Sequence, residues 1–109
     1  MSRHDDERFA DILDAIEAIR RHLRRGDLTD GLVYDAVRVR LIEIGEAVKA
    51  LPPEAVATEP ATPWRDIAAM RDRLAHRYFD TMHAIVAATV ANDLPELEAA
   101  VRRLRAAMA

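Results

Sequence analysis

Apolar positions recur along the chain at steps of three and four, and five helical segments follow from that period. In the first, Phe9, Ile12, Leu13, Ile16, Ile19 and Leu23 share one face. Asp5, Asp6 and Glu7 crowd its first turn, and Arg20, Arg21, Arg24 and Arg25 crowd its last. The helix dipole favours that order, and Gly26 is a natural stop. The run RRHLRR at 20–25 therefore reads as a solvated helix end ahead of a nucleic-acid contact. A second segment spans about 30–51, with Val37, Leu41, Ile44, Val48 and Leu51 as its buried stripe and Val33 extending it. Gly45 falls inside this segment, where glycine costs about 1 kcal/mol relative to alanine. A mid-helix glycine permits close approach of another backbone, so a helix crossing is expected there.

Pro52, Pro53, Pro60 and Pro63 end the second helix and make 52–63 the one long proline-rich stretch. It reads as a loop within a single domain, because neither flank has enough residues for a core of its own. Thr62 and Pro63 suit the N-cap and first turn of a third helix, with Trp64, Ile67, Met70 and Leu74 on its apolar side. Asp80 or Thr81 caps a fourth helix, which places Ile85, Val86, Thr89 and Val90 inside. Asn92 and Asp93 should break it, and Asp93 with Glu96 forms a capping box for a fifth. There Leu94, Leu97, Val101, Leu104 and Met108 supply a packing seam. The expected fold is all-α, an up-and-down bundle of four to five helices in one domain over residues 1–109.

Composition agrees with a helical domain and narrows the chemistry. Half the 109 residues are apolar, only 5% are aromatic, and three glycines are too few for a turn-rich sheet protein. A chain this short gains from oligomerisation, which buries more apolar surface. The absence of cysteine excludes disulfides and thiolate metal sites. MSRHDDERFAD at the start lacks the apolar centre of a signal peptide, and no apolar run approaches membrane-spanning length. The simplest expectation is a cytoplasmic protein with no membrane partner. A formal net charge of −3 argues against broad non-specific nucleic-acid binding, so no DNA partner is expected, while a local basic site remains open.

MRDRLAHRYFD at 70–80 is where candidate chemistry gathers. Arg65, Arg71, Arg73 and Arg77 face only Asp66 and Asp72 over 65–77, and His76 and Tyr78 stand at an expected helix end. On a straight helix Arg71 and His76 would lie roughly 140° apart. A helix that ends near His76 removes that obstacle, and the two side chains can converge within one chain or across a dimer. A guanidinium offers paired donors and permanent charge to a phosphate whose negative charge grows in the transition state. An imidazole can take a proton from a ribose 2′-hydroxyl or give one to a leaving oxygen. Taken alone, the pair also fits a plainer account, in which Arg71 pairs with Asp72 or Asp66 and His76 is an exposed helix-end residue.

In its setting, MRDRLAHRYFD resembles the R-x-x-x-x-H-x-Y signature of the HepT-like branch of the HEPN domains. Arg71, Asp72, His76 and Tyr78 occupy the arginine, polar, histidine and tyrosine positions. The resemblance extends to IEIGEAVKAL at 42–51, PWRDIAAMRD at 63–72 and the NDLPELE that opens the last helix. It implies a helical-bundle toxin acting as a metal-independent ribonuclease, a homodimer whose two copies line one cleft with arginine and histidine. By the same resemblance Arg71 and His76 are the catalytic pair, Asp72 supports them, and Arg73 and Arg77 are candidate phosphate contacts. The family's antitoxin is an MntA-type minimal nucleotidyltransferase that can transfer AMP to the motif tyrosine, here Tyr78. An adenylate there adds bulk and negative charge at the mouth of the cleft. Two departures stand out: Asp72 where asparagine is common, and ATEPATPW in place of a shorter acidic-proline lead.

The remaining features are weaker. Asp80 and His83 have a spacing that metal-binding bundles use, but those bundles draw several ligands from different helices, so no metal or other cofactor is expected. Glu46, beside Gly45, is placed to bridge to an arginine of the third helix or to hold a catalytic group. His4 and His22 read as surface residues. The alternative to a ribonuclease is a non-catalytic helical module that binds a nucleotidyltransferase or a nucleotide through the same cleft.

Overall fold

The computed structural model describes residues 3–75 and 79–108, with side chains for all of these except 79–82. The helices are α1 (Arg3–Arg25), α2 (Gly31–Lys49), α3 (Pro53–Ala57), α4 (Trp64–Ala75), α5 (Phe79–Ala88) and α6 (Leu94–Ala106). No strand occurs among the described residues, and the expected all-α bundle is what forms.

The α1–α2 connection is built from short-range polar chemistry. Asp27 accepts from the Thr29 amide at 2.8 Å and from the Thr29 hydroxyl. Asp30 then caps α2, its carboxylate accepting from the Leu32 amide at 2.9 Å. This tight reversal lays α2 along α1, and α2 in turn packs on α4, so α2 is the central element. Phe9, Ile12, Ile16 and Ile19 of α1 meet Val37, Leu41 and Ile44 of α2, all essentially without solvent exposure. Ile67, Met70 and Leu74 of α4 close the core on one side, and Leu97, Val101 and Leu104 of α6 close it on the other.

Asp80 and Thr81 lie inside α5, which already includes Phe79, and so do not cap it. Three further expectations change. The proline-rich stretch is not wholly a loop, since Pro53–Ala57 form one helical turn with Pro53 in its first position. Ala55 is buried there, and the Trp64 indole donates to the Glu59 carbonyl at 2.9 Å, which fastens the loop to the core. The start of α4 lies one residue later than expected: the Pro63 carbonyl accepts from Ile67 at 3.0 Å, so Pro63 holds the cap position.

The third change is larger. Asn92 and Asp93 do not break the chain's helical path, and the Asp93–Glu96 capping box does not form. Asp93 has helical backbone angles, φ −83° and ψ −37°, with no side-chain cap bond. Instead Thr89–Asp93 form a π-helical turn that joins α5 to α6, and the Leu94 amide reaches the Thr89 carbonyl five residues back. Pro95 supplies the reason. It has no N–H for the carbonyl four residues earlier, and its ring crowds that carbonyl in a regular helix. A wider turn just before it relieves both problems.

Candidate active site

The site rests on the crossing of α2 and α4 at Gly45. A Cβ at that position would lie 3.1 Å from Arg71 Cβ, 3.2 Å from the Ile67 carbonyl oxygen and 3.3 Å from the Arg71 amide nitrogen. The helices meet so closely because glycine has no side chain there, as its mid-helix position led one to expect. The next residue, Glu46, consequently reaches the base of the Arg71 side chain. Arg71 Nε pairs with Glu46 Oε1, and Nη1 donates to Asp72 Oδ1 at 3.1 Å. Arg71 therefore has carboxylates on two sides while its side chain stays 44% exposed. The hydrogen bond to Asp72, then the charge of Glu46, raise its pKa above the usual arginine value. It is a permanent cation held in a fixed orientation at the surface.

A contact that the sequence did not suggest lies one turn further along α4. Arg38 of α2 donates through Nη1 to the Leu74 carbonyl oxygen at 2.7 Å. It thereby ties α2 to the backbone of α4. His76, Arg77 and Tyr78 lie outside the described residues. Arg73 is described, and it is not brought together with Arg71. Two residues on, it sits about 200° round the helix. There it lines a separate cavity of about 270 Å³ with Asp66, Met70, Ile85, Thr89 and Asp93.

Residues 11–104 match the family described as Ribonuclease HepT-like. This chain belongs to that family. It is 35% identical to the "Probable ribonuclease HepT" of Thermococcus cleftensis over 109 aligned residues, 96% of this chain and 99% of that protein. A Caldanaerobacter subterraneus protein named as an RNase is 45% identical over 67 residues, covering 61% of this chain and 60% of that protein. A Methanocaldococcus jannaschii protein, likewise named as an RNase, is 31% identical over 103 residues, 90% of this chain and 85% of its own length. No solved structure matches.

Elsewhere on this HepT-like chain, the remaining candidates find other roles. His83 of α5 stacks on Tyr34 of α2, and its Nε2 lies 2.8 Å from the Leu28 carbonyl oxygen. No cluster of metal-ligating side chains occurs among the described residues. The Asp80 side chain lies outside them. Tyr34 is half-buried, and burial raises the pKa of its hydroxyl, which has no hydrogen-bond partner among the described residues. Neither Tyr34 nor Arg38 carried any signal of its own in the sequence, because each acquires its role only when α2 is packed. A groove of about 720 Å³ runs between α1 and α2, with Ala15, Ala18 and Ala47 in its lining and Arg8, Asp11, Glu43 and Glu46 among its charged residues. Glu46 is thus shared between this groove and Arg71. No helix among the described residues is long and apolar enough to cross a membrane.

Proposed function

We propose that this chain is a metal-independent endoribonuclease that serves as the toxin of a toxin–antitoxin pair. The observation that carries the reading is the exposed, carboxylate-oriented guanidinium of Arg71 in a chain that matches the HepT-like family over almost its whole length. In the proposed reaction His76 removes the proton from a ribose 2′-hydroxyl. The 2′-oxygen attacks the adjacent phosphorus, the bond to the 5′-oxygen breaks, and that oxygen takes up a proton. The products are a 2′,3′-cyclic phosphate and a 5′-hydroxyl. Arg71 stabilises the charge that builds on the phosphoryl oxygens, and Asp72 helps hold Arg71 in place. One imidazole cannot be base and acid in the same instant, so a homodimer, with a second histidine in a shared cleft, suits the chemistry.

Leu32 and Val39 support the dimer. They are seven residues apart on α2 and are its large apolar side chains left 82% and 47% exposed. Seven residues is nearly two turns, so they lie along one outward face. Silencing is assigned to an MntA-type nucleotidyltransferase antitoxin that adenylates Tyr78 in the cytoplasm where both are made. The test is direct. Purified protein should cleave RNA in the presence of EDTA, leaving 2′,3′-cyclic phosphate ends, and His76→Ala should abolish cleavage. Cleavage by His76→Ala at the wild-type rate rejects the chemistry. Intact mass spectrometry after incubation with the transferase and ATP should show one adenylate, absent from Tyr78→Phe.

One observation favours a second reading. Glu46 and Asp72 give the Arg71 cluster a net negative charge, which suits a protein-binding surface better than a phosphate site. A non-catalytic module that binds a nucleotidyltransferase or a nucleotide would keep its partner after Arg71→Ala and would be harmless when expressed alone. Toxicity that disappears with either Arg71→Ala or His76→Ala supports the enzyme.

A further inference from the structure

The basic end of α1 runs into the turn at Leu28, whose carbonyl contacts one of a stacked pair of rings from α2 and α5, and together they have the make-up of a single-strand binding track. Tyr34 and His83 lie face to face, with centroids 5.0 Å apart and planes within 2° of parallel. Tyr34 is half-buried and His83 is exposed, so the imidazole is the outer layer of the stack. A carbonyl oxygen only accepts, so His83 Nε2 carries the hydrogen of its 2.8 Å contact with Leu28. The ring is therefore held by stacking on one side and by a hydrogen bond at its edge, with area left for another flat group. Leu28 follows Arg25 by three residues, which limits their Cα separation to about 11 Å. Arg24 and Arg25 are exposed, and neither guanidinium has an ion-pair partner among the described residues. The nearby carboxylates are engaged in the turn, Asp27 with Thr29 and Asp30 with the Leu32 amide. Arg20, by contrast, is taken up by Glu98.

An exposed aromatic platform beside unpaired guanidinia is the combination by which single-stranded nucleic acid is held: bases stack on the ring and phosphates meet the cations. We propose that the outer face of His83 stacks a base of single-stranded RNA, with Arg24 and Arg25 on the flanking phosphates. The choice of RNA rests on the ribonuclease reading above, whereas the platform itself rests on the ring geometry. The run RRHLRR then gains a role beyond completing the helix dipole. The track is linked to Arg71 through α2, since Arg38, one turn beyond Tyr34, touches the Leu74 carbonyl.

The experiment uses a short 2′-O-methyl RNA carrying one 2-aminopurine, which cannot be cut by attack of the 2′-oxygen. Binding is read by fluorescence quenching over a salt series, with circular dichroism confirming that each variant is folded. His83→Ala should weaken binding about tenfold and abolish the quench. His83→Phe, which keeps a ring and loses the Leu28 bond, should stay within about threefold of wild type. Arg24→Gln with Arg25→Gln should lower the slope of log affinity against log salt by about 1.4, or about 0.7 for each phosphate that is no longer neutralised. Wild-type affinity in His83→Ala, equal weakness in His83→Phe and His83→Ala, or no binding by the wild-type chain overturns the proposal. Cleavage of unmodified RNA is followed in parallel. A chain that binds through His83 and cuts nothing rejects the ribonuclease reading and keeps the platform. A chain that cuts RNA while His83→Ala binds normally rejects the platform alone.

Discussion

Replacing Gly45 with alanine pits two effects of known size against each other at the position that seats Arg71. Alanine is the better helix former by about 1 kcal/mol, so an isolated α2 would gain from the change. The added methyl, however, would stand 3.1–3.3 Å from Arg71 Cβ, the Ile67 oxygen and the Arg71 nitrogen, where ordinary contact begins near 3.4 Å. Two of these three neighbours are backbone atoms of α4, so no rotamer change removes the conflict and the helices must part by a few tenths of an ångström. Forcing an extra carbon into a packed contact costs about 1–3 kcal/mol. The balance is a net loss of about 1 kcal/mol, or roughly 4–8 °C in the melting midpoint of a domain this size. Gly31→Ala is the control, because a Cβ there meets nothing within 4 Å, and it should melt at or slightly above wild type. Urea and thermal denaturation followed by circular dichroism measure both. A Gly45→Ala protein more stable than wild type by the full propensity gain, with an unchanged denaturant slope, would refute the described crossing. Cleavage should fall together with stability, since Arg71 stands on the contact being pried apart.

Three further outcomes follow from individual contacts. Glu46→Gln retains a side-chain oxygen for Arg71 Nε and should keep most of the cleavage activity, whereas Glu46→Ala should lower kcat about tenfold with little change in KM; steady-state kinetics on a defined RNA separates the two. Glu98 accepts from Arg20 at 2.7 and 2.8 Å, which lowers its pKa from 4.5, so its stabilising effect is present above that pH and is lost as the pH falls through the lowered value. Glu98→Gln should cost about 1 kcal/mol at pH 7 and progressively less as the pH falls through the lowered value, a modest figure because the Arg20 side chain is 42% exposed. Asp93 behaves in the opposite sense: burial, then Glu96 and Asp66, raise its pKa, so its contribution is most favourable in acid and is lost as the pH rises through the raised value. Asp93→Asn should therefore raise the melting midpoint at pH 7 and leave it unchanged near pH 3.

The parts of the bundle that were legible in the sequence are those governed by neighbours in the chain. The α1 stripe, the Gly26 stop and the start of α2 near residue 30 depend on local periodicity and short-range hydrogen bonds, and each appears where the residues place it. The crossing at Gly45 was legible too, because a glycine inside a helix has few uses. The Asn92–Asp93 break misled because the weak helix formers were weighed without Pro95, whose missing N–H and bulky ring reshape the turn before it. At the site, Asp66, Asp72 and Glu46 were all available to Arg71; Asp72 pairs as its chain neighbour, and only the α2–α4 contact brings in Glu46. Tyr34 and His83 stand far apart in the chain and stack only because α5 returns to α2, a pairing that no periodicity encodes.

The electrostatics of the Arg71 cluster bear on how a polyanion would be held. One guanidinium between two carboxylates is a poor attractor for RNA, so on the proposed reading its task would be geometric, presenting donors in a fixed direction to a phosphate that has already arrived. Arrival must then depend on cations without such partners. Arg24 and Arg25 at the end of α1 meet that condition, while Arg20, Arg102, Arg103 and Arg105 do not, being paired with Glu98, Glu59 and Asp6. Because these free charges act on a polyanion over a distance, their pull weakens steeply with salt, whereas the contacts that orient Arg71 are far shorter than a Debye length and weaken less. Raising the ionic strength should accordingly raise KM far more than it lowers kcat. A chain in which both fell together would instead place the binding charge within the Arg71 cluster itself.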